Sequence, residues 1–283
     1  MAENRPGAGP DKIKTMKLYH QVERIFVELE ALGFGETDPV DVDTLCTLDQ
    51  YHYLGTEAVD EAVCRIGITG AMHVLEVGGG IGGPSRYLAH STGCRMTALE
   101  LQPDLDATAR RLTKRCGLSD RVRHLCGDVL LLPRAEPPYD ALVSWLTFLH
   151  IPDRKALYRK CFDCIRPGAR MYVEDYFELG PLSVSERALL SEQVYCNHLP
   201  TLDDYRSDLE QAGFEEIELV DMTSVWTEFV MDRHARFRAS RARHVCLHGI
   251  GSFQGLDDFY STVARLFEGG NLGGIAFVAT RPG

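Results

Sequence analysis

The sequence has no apolar run close to the roughly 20 residues that a membrane-spanning helix requires. A helical membrane protein is therefore not expected. Basic charge is also short: 30 Lys and Arg face 41 Asp and Glu, a formal net charge of −11. Nucleic-acid affinity comes largely from Lys and Arg neutralising phosphates, so no nucleic-acid partner is expected. No basic-then-apolar leader pattern stands near residue 1. The nine Cys are scattered and odd in number, which does not suit a disulfide framework. A reduced, cytoplasmic protein with buried thiols is the expectation. The Cys161–Cys164 pair has no second pair at zinc spacing, so no metal site is expected. Repeats and low-complexity tracts are absent from all 283 residues.

Hydrophobic residues make up 45% of the chain, enough for one elaborated α/β core. Residues 1–11 read as a tail rich in Gly, Pro and charge. Residues 12–32 read as an imperfect amphipathic helix, and the acidic stretch 36–50 as a loop. From Thr56 the rhythm changes. A helix over 56–66 leads to strand His73–Val77, helix Ile81–His90, strand Arg95–Glu100 and helix Pro103–Cys116. Strands Val122–Cys126 and Tyr139–Trp145, helix Asp153–Arg166 and strand Arg170–Asp175 follow. Short apolar strands alternating with helices predict a parallel sheet covered on both faces. Beyond Asp175 the pattern predicts helices over 183–198 and 201–212, strand Glu215–Val220, one long helix over 226–247, helix Leu256–Phe267 and strand Gly274–Thr280. The expected organisation is an N-terminal tail and helical segment (1–55), a Rossmann-like core (56–177), a helical cap (178–213) and the remainder of the sheet with a helical insertion (214–283).

The chemistry is concentrated in Glu76-Val77-Gly78-Gly79-Gly80-Ile81-Gly82-Gly83. Glycines at a strand-to-helix turn let the backbone turn sharply and approach a ligand closely. The spacing fits both a dinucleotide fingerprint and an S-adenosylmethionine (SAM) turn, and the glycines alone do not separate them. Glu76 separates them better. A carboxylate at that strand end suits the amino end of SAM's methionine part and would repel a pyrophosphate. Glu100 ends the next strand, where an acid accepts from ribose hydroxyls, a device NAD sites share. Asp128 follows the third strand and can accept from an adenine amino group. Three acids at three successive strand ends form a more specific signal than any one of them.

Leu48-Asp49-Gln50-Tyr51-His52, Gly55-Thr56-Glu57-Ala58 and Gly80-Ile81-Gly82-Gly83-Pro84-Ser85-Arg86-Tyr87 resemble class I small-molecule methyltransferases. The nearest resemblance is to sarcosine/dimethylglycine N-methyltransferases, with phosphoethanolamine N-methyltransferases similar in several of the same stretches. It runs from about residue 48 to 177 and returns at 202–214. It implies a Rossmann-like, seven-stranded doubly wound sheet whose last strand is antiparallel, with N-terminal and cap helices. It also implies SAM as cofactor, a small-molecule amine as substrate, and a monomer or homodimer. The cofactor residues it implies are Gln50, Tyr51, Glu76, Gly78, Gly79, Gly80, Gly82, Glu100, Leu101, Asp128, Val129 and Ser144. Gly79 stands where related enzymes often have Cys.

In the phosphoethanolamine enzymes a His matching His150 pairs with a Tyr to close the site, and Tyr51 is the best match for that Tyr. The pair is expected to gate the site and handle a proton. His150 can equally be a structural residue capping the helix that begins near Asp153. Leu146 stands where the phosphobase enzymes carry Asp, which speaks against an ethanolamine-type head group. Tyr53, Trp145, Phe148, Tyr176 and Tyr195 are candidate substrate contacts, able to hold a methylated ammonium by cation–π attraction. Arg233, Arg236, Arg238, Arg241 and Arg243 fall on several helix faces. One of them can reach a substrate carboxylate, but the spacing does not say which.

Overall fold

Neighbouring residues of the central strands are apolar on both sides, and the strands are accordingly buried between two helical layers. The computed structural model describes Tyr19, residues 21–133 and residues 136–283. The tail at 1–11 and most of the first half of the 12–32 helix lie outside the described residues. Seven strands form one sheet: β1 (His73–Val77), β2 (Arg95–Glu100), β3 (Val122–Cys126), β4 (Tyr139–Trp145), β5 (Ile165–Glu178), β6 (Glu215–Asp221) and β7 (Leu272–Thr280). Their order is β3-β2-β1-β4-β5-β7-β6. The first five pair in parallel, while β7 runs antiparallel to both β5 and β6. The expected sheet with its antiparallel last strand is present. Strand order reverses between β1 and β4, and the crevice at the carboxyl ends of such strands is where doubly wound sheets bind ligands.

The two faces follow from the period-2 alternation of strand side chains. Val74, Ala141 and Val143 pack against α3 (Thr56–Ile66) and α4 (Gly83–Thr92). Leu75, Leu142 and Met171 face the opposite layer, with α6 (Arg154–Cys164) and α8 (Leu202–Ala212). Leu105 and Leu112 of α5 (Pro103–Arg115) join Ile25 and Leu29 of α1 (Arg24–Ala31). Cys161 and Cys164 are buried, unbridged thiols in the core. Among the described residues no group of His, Cys, Asp or Glu is gathered to hold a metal, and no helix is long and apolar enough to cross a membrane.

Several elements differ from the periodicity reading. The expected loop at 36–50 contains α2 (Val42–Asp49). Asp41 caps it by accepting the Thr44 N–H at 2.7 Å, and Val42, Leu45 and Asp49 form its buried face. The expected helix over 183–198 is α7 (Val184–Leu189), opened by a Ser183/Glu186 capping box, followed by a π-helical turn, Leu190–Val194. The expected single helix over 226–247 is two, α9 (Thr223–Ala239) and α10 (Arg241–Glu268), broken at Ser240. The loop expected before Leu256 is instead a kink at Gly249, whose φ is 82°. Each miss is a boundary set by capping or by packing, neither of which periodicity reports.

Two buried ion pairs brace the site. Arg86 of α4 meets Asp49 of α2 at 2.8 Å, with both side chains 1% exposed, and so pins the N-terminal helices over the glycine turn. Arg154 of α6 meets Asp175 of β5 at 2.8 Å.

Candidate active site

Three strand ends and the glycine turn open on one cavity at the β1/β4 switch point. Gly78 has φ 82°, and a Cβ there would lie 1.9 Å from Thr147 Oγ1, so only glycine lets the turn pass under the segment that carries His150. Gly80 has φ 52°, and nothing stands within 4 Å of where its Cβ would be, which leaves its backbone open to the cavity. The Glu100 carboxylate accepts the Gly80 N–H at 2.8 Å and the Gln102 N–H at 2.9 Å. It thereby ties β2 to the turn. Burial pushes its pKa up to about 6, and these backbone bonds hold it down. Glu76 is 1% exposed and accepts from the Ser85 hydroxyl. Burial pushes it up to about 7, against that same bond. Asp128 accepts the Leu130 N–H at 2.9 Å and presents its remaining surface to the cavity.

Neither Glu76 nor Glu100 forms an ion pair among the described residues. Two desolvated carboxylates without a cation, beside open glycine backbone, fit a ligand carrying an ammonium, a ribose and an adenine. Glu76, Glu100, Asp128 and the Gly78–Gly80 backbone are the residues that would hold it.

A pH dependence follows. If Glu76 receives an ammonium, binding ionises it and releases a proton. SAM affinity is then expected to be flat above about pH 7 and to fall as pH drops below the unliganded value of about 7. Calorimetric titrations from pH 5.5 to 8 measure this. Glu76→Gln should flatten the profile, and an unchanged slope in that variant removes Glu76 from the ammonium role.

The wall opposite in chemistry is aromatic and basic. His150 is buried, and its Nδ1 lies 3.3 Å from the Tyr195 carbonyl oxygen. A carbonyl only accepts, so Nδ1 carries the hydrogen and Nε2 keeps its lone pair. Burial lowers its pKa to about 4, so the imidazole is neutral near pH 7. The helix that follows is capped by Asp153, which accepts the Ala156 N–H at 3.0 Å, so His150 is not its cap.

Of the residues expected from the sequence, Tyr51, Tyr53, Glu76, Gly78, Gly79, Gly80, Glu100, Leu101, Asp128, Val129, Trp145, His150 and Tyr176 line this cavity. Five do not. Ser144 is fully buried in the sheet and donates to the Val77 carbonyl at 2.8 Å. Phe148 turns into the core and packs on Tyr158, ring centroids 6.1 Å apart. Tyr195 contributes its carbonyl to His150 while its ring packs within the cap. The Gln50 amide donates to Asp49 at 2.8 Å. Gly82, with φ 84°, starts α4 from behind the turn. Tyr51 and His150 both line the cavity. The ring set edge-on against His150 is Tyr19, at 6.4 Å, while Tyr51 packs towards Ile25 and Leu29.

Sequence reasoning missed Tyr19 and Gln102 in the cavity wall and did not single out Arg233 from the four other arginines of its run. For Arg233 a signal existed: Trp226, Val230 and Arg233 lie at i, i+4 and i+7, and the first two are buried.

The sheet order, the antiparallel β7 and a glycine turn at the switch point define the class I methyltransferase architecture. Residues 74–168 match the methyltransferase domain family. That match lies on the stretch that carries β1, the glycine turn and β4. It is 27% identical over 191 residues to methyltransferase GfsG of Streptomyces halstedii, covering 66% of each chain. It is 28% identical over 151 residues to the sarcosine/dimethylglycine N-methyltransferase of Halorhodospira halochloris, covering 53% of this chain and 54% of that one. The structure superposes on phosphoethanolamine N-methyltransferase 2 of Haemonchus contortus in complex with SAM, with a TM-score of 0.81, 19% identity, and coverage of 100% of this chain and 62% of that one. The chain spans between about a third and about two thirds of the length of the curated relatives it matches.

Proposed function

We propose that this chain transfers the methyl group of SAM to the nitrogen of a small, amino-acid-like amine. The observation that carries the reading is geometric: His150 engages the Tyr195 carbonyl through Nδ1, which leaves Nε2 free of that bond, in the wall of a cavity that also holds three strand-end acids. Bound SAM supplies a methyl carbon on a sulfonium, which an amine lone pair takes as the C–S electron pair returns to sulfur. The amine must be neutral to attack, and His150 Nε2 can accept the proton it sheds. Glu76 orients the ammonium of the cofactor, Glu100 the ribose hydroxyls and Asp128 the adenine amino group. Tyr19 and Tyr51 cover the cavity and keep water out, so that proximity lowers the barrier. The relatives named for sarcosine and dimethylglycine N-methylation support nitrogen as acceptor. Cytoplasmic placement and a monomeric or homodimeric state belong to the same proposal.

A product assay with labelled SAM tests it, using glycine, sarcosine, dimethylglycine, phosphoethanolamine, and simple thiols and phenols as acceptors. Methylated amine is the expected product. Label on thiols or phenols alone would move the acceptor atom to sulfur or oxygen and discard nitrogen. In the same assay His150→Ala is expected to lower turnover at least tenfold, within the range of a positioned proton acceptor, with SAM affinity little changed. Equal losses in both would make His150 structural.

A further inference from the structure

A doubly wound sheet carries helices on both faces. Here the cover is incomplete at the β3 end. Among the described residues the connection from β3 to β4 holds only a short helical turn, Val129–Leu131, and no helix to seal that face. The strand residues differ accordingly. Met96 and Val122 are buried under α4, whereas Arg95 and Arg123, on the other face, are exposed. Between that face and the β3–β4 connection lies a groove of about 770 Å³, within the size of small-molecule sites. Its base is cationic. Arg95 pairs with His73 across the β1–β2 register and Arg123 with Thr97 across β2–β3, so the three basic side chains share one face. His73 is fixed there: its Nε2 lies 2.8 Å from the Thr97 hydroxyl, and its ring meets Tyr139 edge-on at 4.9 Å. Burial holds its pKa below the ordinary value, and the charges of Arg95 and Arg123 lower it further against the pull of Asp140. The nearby acids are engaged elsewhere. Asp140 accepts the His73 N–H and pairs with Arg166, each at 2.8 Å, and Asp128 accepts the Leu130 N–H. Glu136 stands at the rim, and among the described residues no carboxylate pairs with Arg95 or Arg123. The facing wall is apolar, with Leu125, Leu132, Pro137 and Leu131, which is 80% exposed.

We propose that this groove is a second binding site, separate from the methyl-transfer cavity, for a small molecule carrying one oxyanion and an apolar body. Two unpaired guanidinium groups on one face repel each other, and the leucines opposite them are left wet. A single amphipathic anion relieves both. Its oxyanion seats on the planar forks of Arg95 and Arg123, and its body lies against Leu125 and Leu131. Leu99, Gly127 and Asp128 line this groove and the cavity at the switch point alike, so the two sites stand back to back. Nothing in the second site depends on which atom accepts the methyl group.

The test is fluorescence titration of the full chain with anilinonaphthalenesulfonate, in excess S-adenosylhomocysteine to fill the first cavity. The dye is then displaced with hexyl phosphate, hexanol or inorganic phosphate. Hexyl phosphate alone carries both parts, and it is expected to displace the dye roughly tenfold or more effectively than either control, the scale of a charge-assisted bond. Arg95→Gln combined with Arg123→Gln should abolish that preference, and the matching pair of Lys substitutions should keep part of it. Leu131→Asp should weaken the dye and hexyl phosphate alike. All three positions are exposed, so the unfolding temperature is expected to stay unchanged. Cys126 reports the place of binding. It lines the groove and is exposed, as are Cys64 and Cys246, which lie outside it. Hexyl phosphate is expected to slow alkylation of Cys126, read by mass spectrometry, and to leave Cys64 and Cys246 unaffected. No binding by dye or hexyl phosphate, displacement by hexanol as effective as by hexyl phosphate, a preference that survives the double Gln variant, or unchanged alkylation of Cys126 overturns the inference.

Discussion

Asp175→Ala is expected to lower the unfolding free energy by about 3–5 kcal/mol, the cost of leaving a buried charge without its partner. The Asp175 side chain is fully buried at the end of β5. Its Oδ2 accepts from Arg154 Nη1 at 2.8 Å and from the Tyr205 hydroxyl at 2.7 Å, and its Oδ1 accepts the Leu149 N–H at 3.1 Å. Three elements thus converge on one carboxylate: α6, α8 and the short turn that carries His150. Truncation strands the Arg154 guanidinium, which is 2% exposed, and orphans the Leu149 N–H. Asp175→Asn keeps one acceptor oxygen, enough for either the Leu149 N–H or the Tyr205 hydroxyl, and should cost less. Denaturant unfolding with an unchanged m-value checks both. A loss below about 1 kcal/mol for the alanine variant would mean that water reaches Arg154 and the pair is not sealed.

Glu100→Ala is expected to weaken SAM binding by about 1–3 kcal/mol, or roughly 5- to 150-fold in Kd. Two effects add. In the proposed cofactor site the ribose would lose its acceptor, and the Gly80 and Gln102 N–H groups lose theirs, which loosens the turn that lines the cavity. Glu100→Gln keeps one carbonyl oxygen and should fall between the parent and the alanine variant. Fluorescence or calorimetric titration with SAM is the measurement. An unchanged Kd in Glu100→Ala would remove the residue from cofactor binding and leave it a structural tie between β2 and the turn.

Much of the core was legible because its signals are local. The bounds of β1, β2, β3 and β4 are those expected, since covered strands need apolar residues on both faces. Glu76, Glu100 and Asp128 were legible because strand ends in this topology share one edge of the sheet. The cap was less legible. Its helices are bounded by side-chain caps and by the Gly249 kink, and its inward face is set by contacts distant in sequence. Phe148 shows the limit on the core side: two residues before His150, it rotates into the core while His150 stays in the cavity wall.

By itself the sequence determined the class of fold and the gathering of the glycine turn and strand-end acids on one edge of the sheet, because glycine spacing, strand-end acids and apolar runs act through the local backbone. Tertiary structure alone decided which Tyr stands against His150 and which Arg of α9 turns inward. Tyr19 arrives from a segment with no motif of its own, and Arg233 is selected by the packing of Trp226 and Val230 into the cap. Those choices depend on where separate elements come to rest against one another.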